Sequence, residues 1–134
     1  MILCEHDMRV HLALERHNLY AKLRHHSNRR VAKAIALTPR ENFIDPMQRF
    51  IAYDNQVIPV EDDSYATSVS QPTVVADMVQ LLDPQPDDFV IEYGAGSGFQ
   101  AAVLGSLVKH VLAIEIGEGL ARKASQRTRR LSNQ

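Results

Sequence analysis

The chain has 134 residues, enough for one domain, and its 45% apolar and 23% charged residues exclude a disordered or fibrous protein. Its formal net charge of -1 provides no overall field for nucleic acid or an anionic membrane. The single cysteine, Cys4, excludes an intramolecular disulfide or a cysteine zinc cluster.

The first half of the chain predicts helices followed by irregular structure. Leu12, Leu19 and Leu23 recur near helical spacing, which predicts helix from residue 5 to about residue 37 with a break at Ser27-Asn28. Thr38-Pro39 ends this region, because a residue before proline is pushed out of the helical conformation. Residues 40–70 show no sustained period and are predicted to be loop with short strands.

The second half predicts a strand–helix–strand unit followed by a last helix. An apolar helical stripe begins at Thr73 and ends before Pro84. The predicted elements that follow are a strand at 89–93, a helix at 99–107, a strand at 110–115 and a helix through Leu131. A helix that crosses over between two strands of one sheet makes those strands parallel.

A glycine-rich loop, Glu92-Tyr93-Gly94-Ala95-Gly96-Ser97-Gly98, joins the first strand of this unit to its helix. Glycines at such a junction permit a tight turn and the close approach of a ligand. Phe99 occupies the position of the third glycine in the dinucleotide fingerprint, which makes a dehydrogenase the least favoured enzyme class.

Two acids flank this loop and indicate the charge of its ligand. Glu92 would repel a pyrophosphate but suits an ammonium group, and Glu115 ends the second strand, where an acid can meet ribose hydroxyls. A nucleoside with positive charge fits both acids, and S-adenosylmethionine is the common cofactor of that description. The alternative is a tight turn between packed elements, with both acids solvated. The candidate cofactor-binding residues are Glu92, Gly94, Ala95, Gly96, Ser97, Gly98 and Glu115.

Several segments resemble the protein-L-isoaspartate O-methyltransferase family, whose members methylate isoaspartyl residues in damaged proteins. They cover about residues 31–131 in the family's order: Thr38–Ile44, Ala52–Asp54, Ile58–Val60, Ser68–Pro72 with Val75–Met78, Glu92–Leu104 and Ile114-Glu115. The Ser-Gln-Pro segment before the glycine loop is the specific signal, whereas the loop alone indicates only a methyltransferase fold.

The resemblance implies an α/β fold with the Rossmann-like sheet of S-adenosylmethionine-dependent methyltransferases. N-terminal helices would precede the first βαβα part of this sheet, which would be incomplete. Residues 1–72 would form a helical and loop region with the substrate-side segment, and residues 73–134 the first part of the cofactor-binding domain. The implied reaction transfers a methyl group from S-adenosylmethionine to the α-carboxylate of isoaspartyl residues in proteins or peptides, which is protein repair.

By the same resemblance, Ser70 matches the family's active-site serine. The cofactor loop of the family corresponds to Gly94, Gly96 and Gly98, and the acid that holds the ribose corresponds to Glu115. An α-carboxylate is already ionised at neutral pH and needs no general base. Ser70 is therefore expected to orient the substrate by hydrogen bonding rather than to act as a nucleophile. Its structural alternative is to cap the helix that follows, and the two roles can coexist.

The sequence also departs from the family. Ser68 stands where threonine is usual, and residues 61–66, beginning Glu61-Asp62-Asp63, replace a glycine-rich approach to the serine. These acids would repel an isoaspartyl carboxylate, so we expect this loop to alter specificity. Family members continue through further strands, so we expect a truncated sheet with an uncovered edge and exposed apolar surface. A truncated, non-catalytic remnant with only cofactor-loop or interaction functions is the alternative function.

The remaining expectations concern compartment and partners. No apolar run approaches the roughly 20 residues that span a bilayer, and charges at residues 5–7 come too early for a signal peptide. We expect a cytoplasmic protein with no metal site and no membrane or nucleic-acid partner. The oligomeric state is left open.

Overall fold

The computed structural model describes residues 4–60 and 67–132. Two helices open this part of the chain, α1 at Glu5–His26 and α2 at Arg29–Leu37. Helix α1 buries its three predicted leucines, and the Asn28 side chain caps α2 by accepting a 2.9 Å hydrogen bond from the Val31 amide. The predicted helical region and its break are confirmed.

Two short 3-10 helices and two short strands follow. The 3-10 helices span Arg40–Asn42 and Pro46–Ile51, and the strands β1 and β2 span Ile58–Val60 and Thr67–Val69. The strands pair antiparallel, with Ile58 opposite Val69. The short strands are confirmed, whereas the sequence analysis did not predict the 3-10 helices.

Helix α3 spans Pro72–Leu82, with proline in its first turn, where the missing amide costs no helical hydrogen bond. Its N-cap is Gln71, whose side chain makes no capping hydrogen bond. The interpretation of Ser70 as the cap is therefore wrong, because proline at 72 sets the helix start one residue later. The residue after the helix, Asp83, is its C-cap and adopts the left-handed conformation with φ of 47°.

The predicted strand–helix–strand unit is confirmed. Strand β3 spans Phe89–Tyr93, helix α4 Phe99–Gly105, strand β4 His110–Ile114 and helix α5 Glu118–Ser132. The two strands are parallel, with Phe89 opposite His110 and Tyr93 opposite Ile114. The carboxyl end of β3 therefore leads directly into the glycine loop.

One cluster of buried side chains joins residues from both predicted regions, 1–72 and 73–134, and the division between them stays a prediction. Val90 and Val111 lie on one face of the β3–β4 pair and pack against this cluster. The other face carries exposed apolar side chains, as the sequence analysis expects: Phe89, Ile91, Tyr93, Leu112 and Ile114. Within the described residues, no helix is long and apolar enough to cross a membrane.

Candidate functional site

A cavity of about 140 Å³ lies between the end of β2, the end of β3 and the glycine loop. Its lining joins the candidate catalytic residue to most of the candidate cofactor residues, namely Ser70, Glu92, Gly94, Ala95, Gly96 and Ser97. Thr67, Phe99 and Gln100 also line it. Two parts of the chain that are distant in sequence thus meet across one small cavity.

Glu92 is a buried carboxyl group on the wall of this cavity. Only 8% of the residue is exposed, and its Oε2 atom has no hydrogen-bond partner among the described residues. Burial raises the pKa of Glu92 to about 7, because a carboxylate loses hydration there. A cationic ligand group would compensate the ionised form, so the site suits a ligand with positive charge.

The three loop glycines all have positive φ, which disfavours any residue with a Cβ, but their surroundings differ. A Cβ at Gly94 would meet no atom of the described residues within 4 Å, so none of them crowds the backbone there. A Cβ at Gly96 would lie 3.3 Å from the Thr67 hydroxyl, and one at Gly98 only 3.0 Å from the Cβ of Ala124. Gly94 thus suits ligand approach, whereas Gly98 permits close packing of α5.

Glu115 joins the end of β4 to the glycine loop. Its Oε2 accepts a 2.7 Å hydrogen bond from the Gly96 amide, and its Oε1 accepts a 2.9 Å bond from the Gly117 amide. These amides lower the pKa of Glu115, because they stabilise the ionised carboxylate. Glu115 and Gly98 line a separate cavity of about 590 Å³ between α4 and α5, not the cavity that Ser70 lines.

Ser70 is exposed at the end of β2, and its carbonyl accepts a 2.9 Å hydrogen bond from Arg40. Its backbone position is therefore fixed, while its side chain is accessible to a substrate. The acidic run Glu61-Asp62-Asp63 lies outside the described residues. No group of three potential metal-ligating side chains occurs within 4–60 and 67–132.

The sequence analysis assigned no role to Arg40, which is fully buried and contacts the Ser70 carbonyl. Arg40 stands inside the Thr38–Ile44 segment, but an isolated arginine after a proline reads as a surface residue. The roles of Thr67 and Gln100 in lining the cavity were also missed. Neither residue belongs to a periodic pattern that could have indicated it.

Comparisons with known proteins identify the family of this chain. Residues 14–134 match the model of the family described as protein-L-isoaspartate(D-aspartate) O-methyltransferase. A protein-L-isoaspartate O-methyltransferase from Photorhabdus laumondii is 40% identical over 116 residues, 85% of this chain and 54% of the relative. One from Nitrosococcus oceani is 45% identical over 104 residues, 78% of this chain and 46% of the relative. The chain spans about half the length of these relatives.

Solved structures show the same fold. One protein-L-isoaspartate O-methyltransferase aligns with a TM-score of 0.76 and 26% identity, over 89% of this chain and 39% of that chain. A Plasmodium falciparum protein solved in complex with S-adenosyl-L-homocysteine aligns with a TM-score of 0.62 and 20% identity, over 88% of this chain and 55% of that chain. The α/β fold, with the first part of a Rossmann-like sheet, is thereby confirmed. The chain belongs to the protein-L-isoaspartate(D-aspartate) O-methyltransferase family.

Proposed function

We propose that the protein is an S-adenosylmethionine-dependent carboxyl methyltransferase that acts on the α-carboxylate of isoaspartyl residues in damaged proteins or peptides. The observation that carries the proposal is the cavity in which Ser70 lies across from the buried Glu92, whose Oε2 has no hydrogen-bond partner within residues 4–60 and 67–132. One side of this cavity suits a cation and the other offers a hydroxyl to a substrate. Family membership supports the same activity.

The residues of the loop fit the proposed cofactor. Glu92 would accept the ammonium of its amino acid end, and the backbone at Gly94, Ala95, Gly96 and Ser97 would lie along it without an intervening Cβ at the glycines. Glu115 keeps lone pairs beyond its bonds to backbone amides, and these can accept the ribose hydroxyls. Gly98 supports the loop from the α5 side. When bound, S-adenosylmethionine supplies the methyl group.

The protein itself has to orient the substrate carboxylate. An α-carboxyl ionises at a pKa of about 3.3–3.7, so it is a competent nucleophile at neutral pH without proton removal. Ser70 would donate a hydrogen bond to one carboxylate oxygen and direct the other toward the methyl carbon. Holding the reacting atoms in line then lowers the barrier by proximity and orientation.

The test measures binding and transfer separately. S-adenosylhomocysteine is titrated calorimetrically into the wild-type chain and a Gly96→Arg variant, and methyl transfer to an isoaspartyl peptide is assayed with Ser70→Ala. We expect micromolar binding that the arginine abolishes, and transfer that falls at least tenfold in Ser70→Ala. Ser27→Ala is the matched control, because the one hydrogen bond of its hydroxyl among the described residues is to the Leu23 carbonyl, at the C-terminal end of α1.

The outcomes separate the two functions considered. Transfer that depends on Ser70 supports the methyltransferase. Binding without transfer by the wild-type chain would overturn it in favour of a non-catalytic cofactor-binding remnant.

We also propose the cytoplasm as the compartment, because a protein with an exposed free thiol, here Cys4, suits a reducing environment.

A further inference from the structure

Arg40 is a fully buried arginine at the start of the first 3-10 helix. Its guanidinium nitrogens donate hydrogen bonds of 2.9 to 3.3 Å to the backbone carbonyls of Ala52, Asp54, Gln56, Val69 and Ser70. Within the described part of the chain, its partners are therefore main-chain oxygens rather than a carboxylate.

These carbonyls belong to two segments on either side of the β1–β2 pair. Residues 52–56 form the turn before β1, Val69 ends β2 and Ser70 follows it. One planar guanidinium thus binds both the segment that leads into β1 and the segment that leaves β2. A lysine ammonium has only three donors and no planar fork, so it cannot satisfy this set of carbonyls.

The same guanidinium contacts the start of α4. Its Cζ lies 5.6 Å from the centre of the Phe99 ring, within the range of a cation–π interaction. Phe99 follows Gly98 directly and packs edge-to-face on Phe43. Arg40 therefore touches both sides of the cavity: the segment that ends in Ser70 and the residue that follows the glycine loop.

Burying this cation is costly. Desolvation lowers the pKa of Arg40 to about 10, so the group remains charged at neutral pH. An apolar side chain of similar volume would fill the same space without that cost. The charge therefore needs a role that apolar packing does not provide, and the convergent carbonyls supply one.

We propose that Arg40 is a positioning residue that fixes Ser70 against the glycine loop, so that the serine hydroxyl meets the substrate carboxylate in the productive orientation. This rests on the proposed function, in which Ser70 orients the substrate. Arg40 acts through Ser70, so its loss should weaken the use of the isoaspartyl substrate and leave cofactor affinity nearly unchanged.

The test is a double-mutant cycle on the whole chain. Methyl transfer to an isoaspartyl peptide and affinity for S-adenosylhomocysteine are measured for wild type, Arg40→Lys, Ser70→Ala and the double variant. Leu19→Ala, a buried residue of α1, controls for lost stability without a contact at the cavity. All assays run well below the lowest midpoint of thermal unfolding in the set.

We expect Arg40→Lys to raise KM for the peptide at least tenfold over wild type and Leu19→Ala, with S-adenosylhomocysteine affinity within threefold. In the Ser70→Ala background the same substitution should change KM less than threefold. Equal effects in the two backgrounds, or a KM no higher than that of Leu19→Ala, would overturn the proposal.

An exchange experiment keeps this test separate from the proposed function. If the wild-type chain transfers no methyl group, the proposed function fails, and hydrogen–deuterium exchange then decides on Arg40. Arg40→Lys should speed amide exchange at residues 67–70 at least tenfold relative to residues 94–98. A uniform change across both segments, as expected for Leu19→Ala, would show that Arg40 serves general stability only.

Discussion

The Glu115 carboxylate and the Gly96 amide are joined by a hydrogen bond of 2.7 Å. This contact connects the end of β4 to the middle of the glycine loop, and the second oxygen of the same carboxylate holds the Gly117 amide. Glu115 therefore orders the loop in addition to its proposed contact with ribose.

Glu115→Gln should weaken S-adenosylhomocysteine binding about tenfold, because the glutamine amide nitrogen cannot accept a hydrogen bond and the remaining oxygen carries no charge. Calorimetric titration measures this change. Glu118→Gln is the matched control, since Glu118 is exposed and its side chain forms a 3.3 Å surface ion pair with Arg122. Equal affinity of both variants would contradict the role of Glu115.

Glu92→Gln should stabilise the protein at high pH and much less at low pH. Unfolded glutamate ionises near pH 4.5 and folded Glu92 near pH 7, so the folded state binds more protons between these values. Wild-type stability therefore falls relative to Glu92→Gln as pH rises through this window, by on the order of 3 kcal/mol. Urea unfolding of wild type and Glu92→Gln at pH 5, 6, 7 and 8 checks this prediction. A difference in the free energy of unfolding that stays constant across these pH values would refute it.

The same carboxyl group should make ligand binding depend on pH. A ligand ammonium favours ionised Glu92, so wild-type affinity for S-adenosylhomocysteine should rise roughly tenfold between pH 5.5 and pH 7.5. Glu92→Gln carries no titrating group at this position and should show a flat profile. Parallel profiles for the two proteins, measured by calorimetry in matched buffers, would mean that Glu92 does not face the ligand cation.

Gly98→Ala should destabilise the protein more than Gly94→Ala. Both glycines have positive φ, which costs a non-glycine residue roughly 1–3 kcal/mol. Of these two positions, only a methyl group at 98 would meet a described residue, the Cβ of Ala124 at 3.0 Å. In an Ala124→Gly background the cost of Gly98→Ala should therefore shrink. Chemical unfolding of the four variants measures this destabilisation. If Gly98→Ala destabilises the protein equally in both backgrounds, the strain lies in the backbone conformation alone.

The βαβ unit could be predicted from the sequence because its signals are local. An apolar run at 89–93, three glycines and a second apolar run at 110–114 specify strand, turn, helix and parallel strand without reference to the rest of the chain. Matching segments also identified Ser70 and the loop as parts of one candidate site. The structure brings Ser70, Glu92 and residues 94–97 to one cavity, whereas Gly98 and Glu115 line another.

The environment of Arg40 could not be predicted in this way. Its five carbonyl partners lie 12 to 30 residues away along the chain, and a backbone carbonyl has no sequence signature. The prediction that Ser70 caps α3 is wrong for a related reason. Serine, glutamine and proline are each compatible with a helix start, and only the backbone conformation at Gln71 decides between adjacent positions.

The cavity between β2 and the glycine loop has a thermodynamic consequence. Its two sides come from segments that are distant in the sequence, so it exists only when the β1–β2 pair lies over Gly96. A molecule that fills it binds the native state and not the unfolded chain, and therefore raises the unfolding temperature with concentration. Ligands for this protein can accordingly be found by thermal denaturation alone, without a catalytic assay.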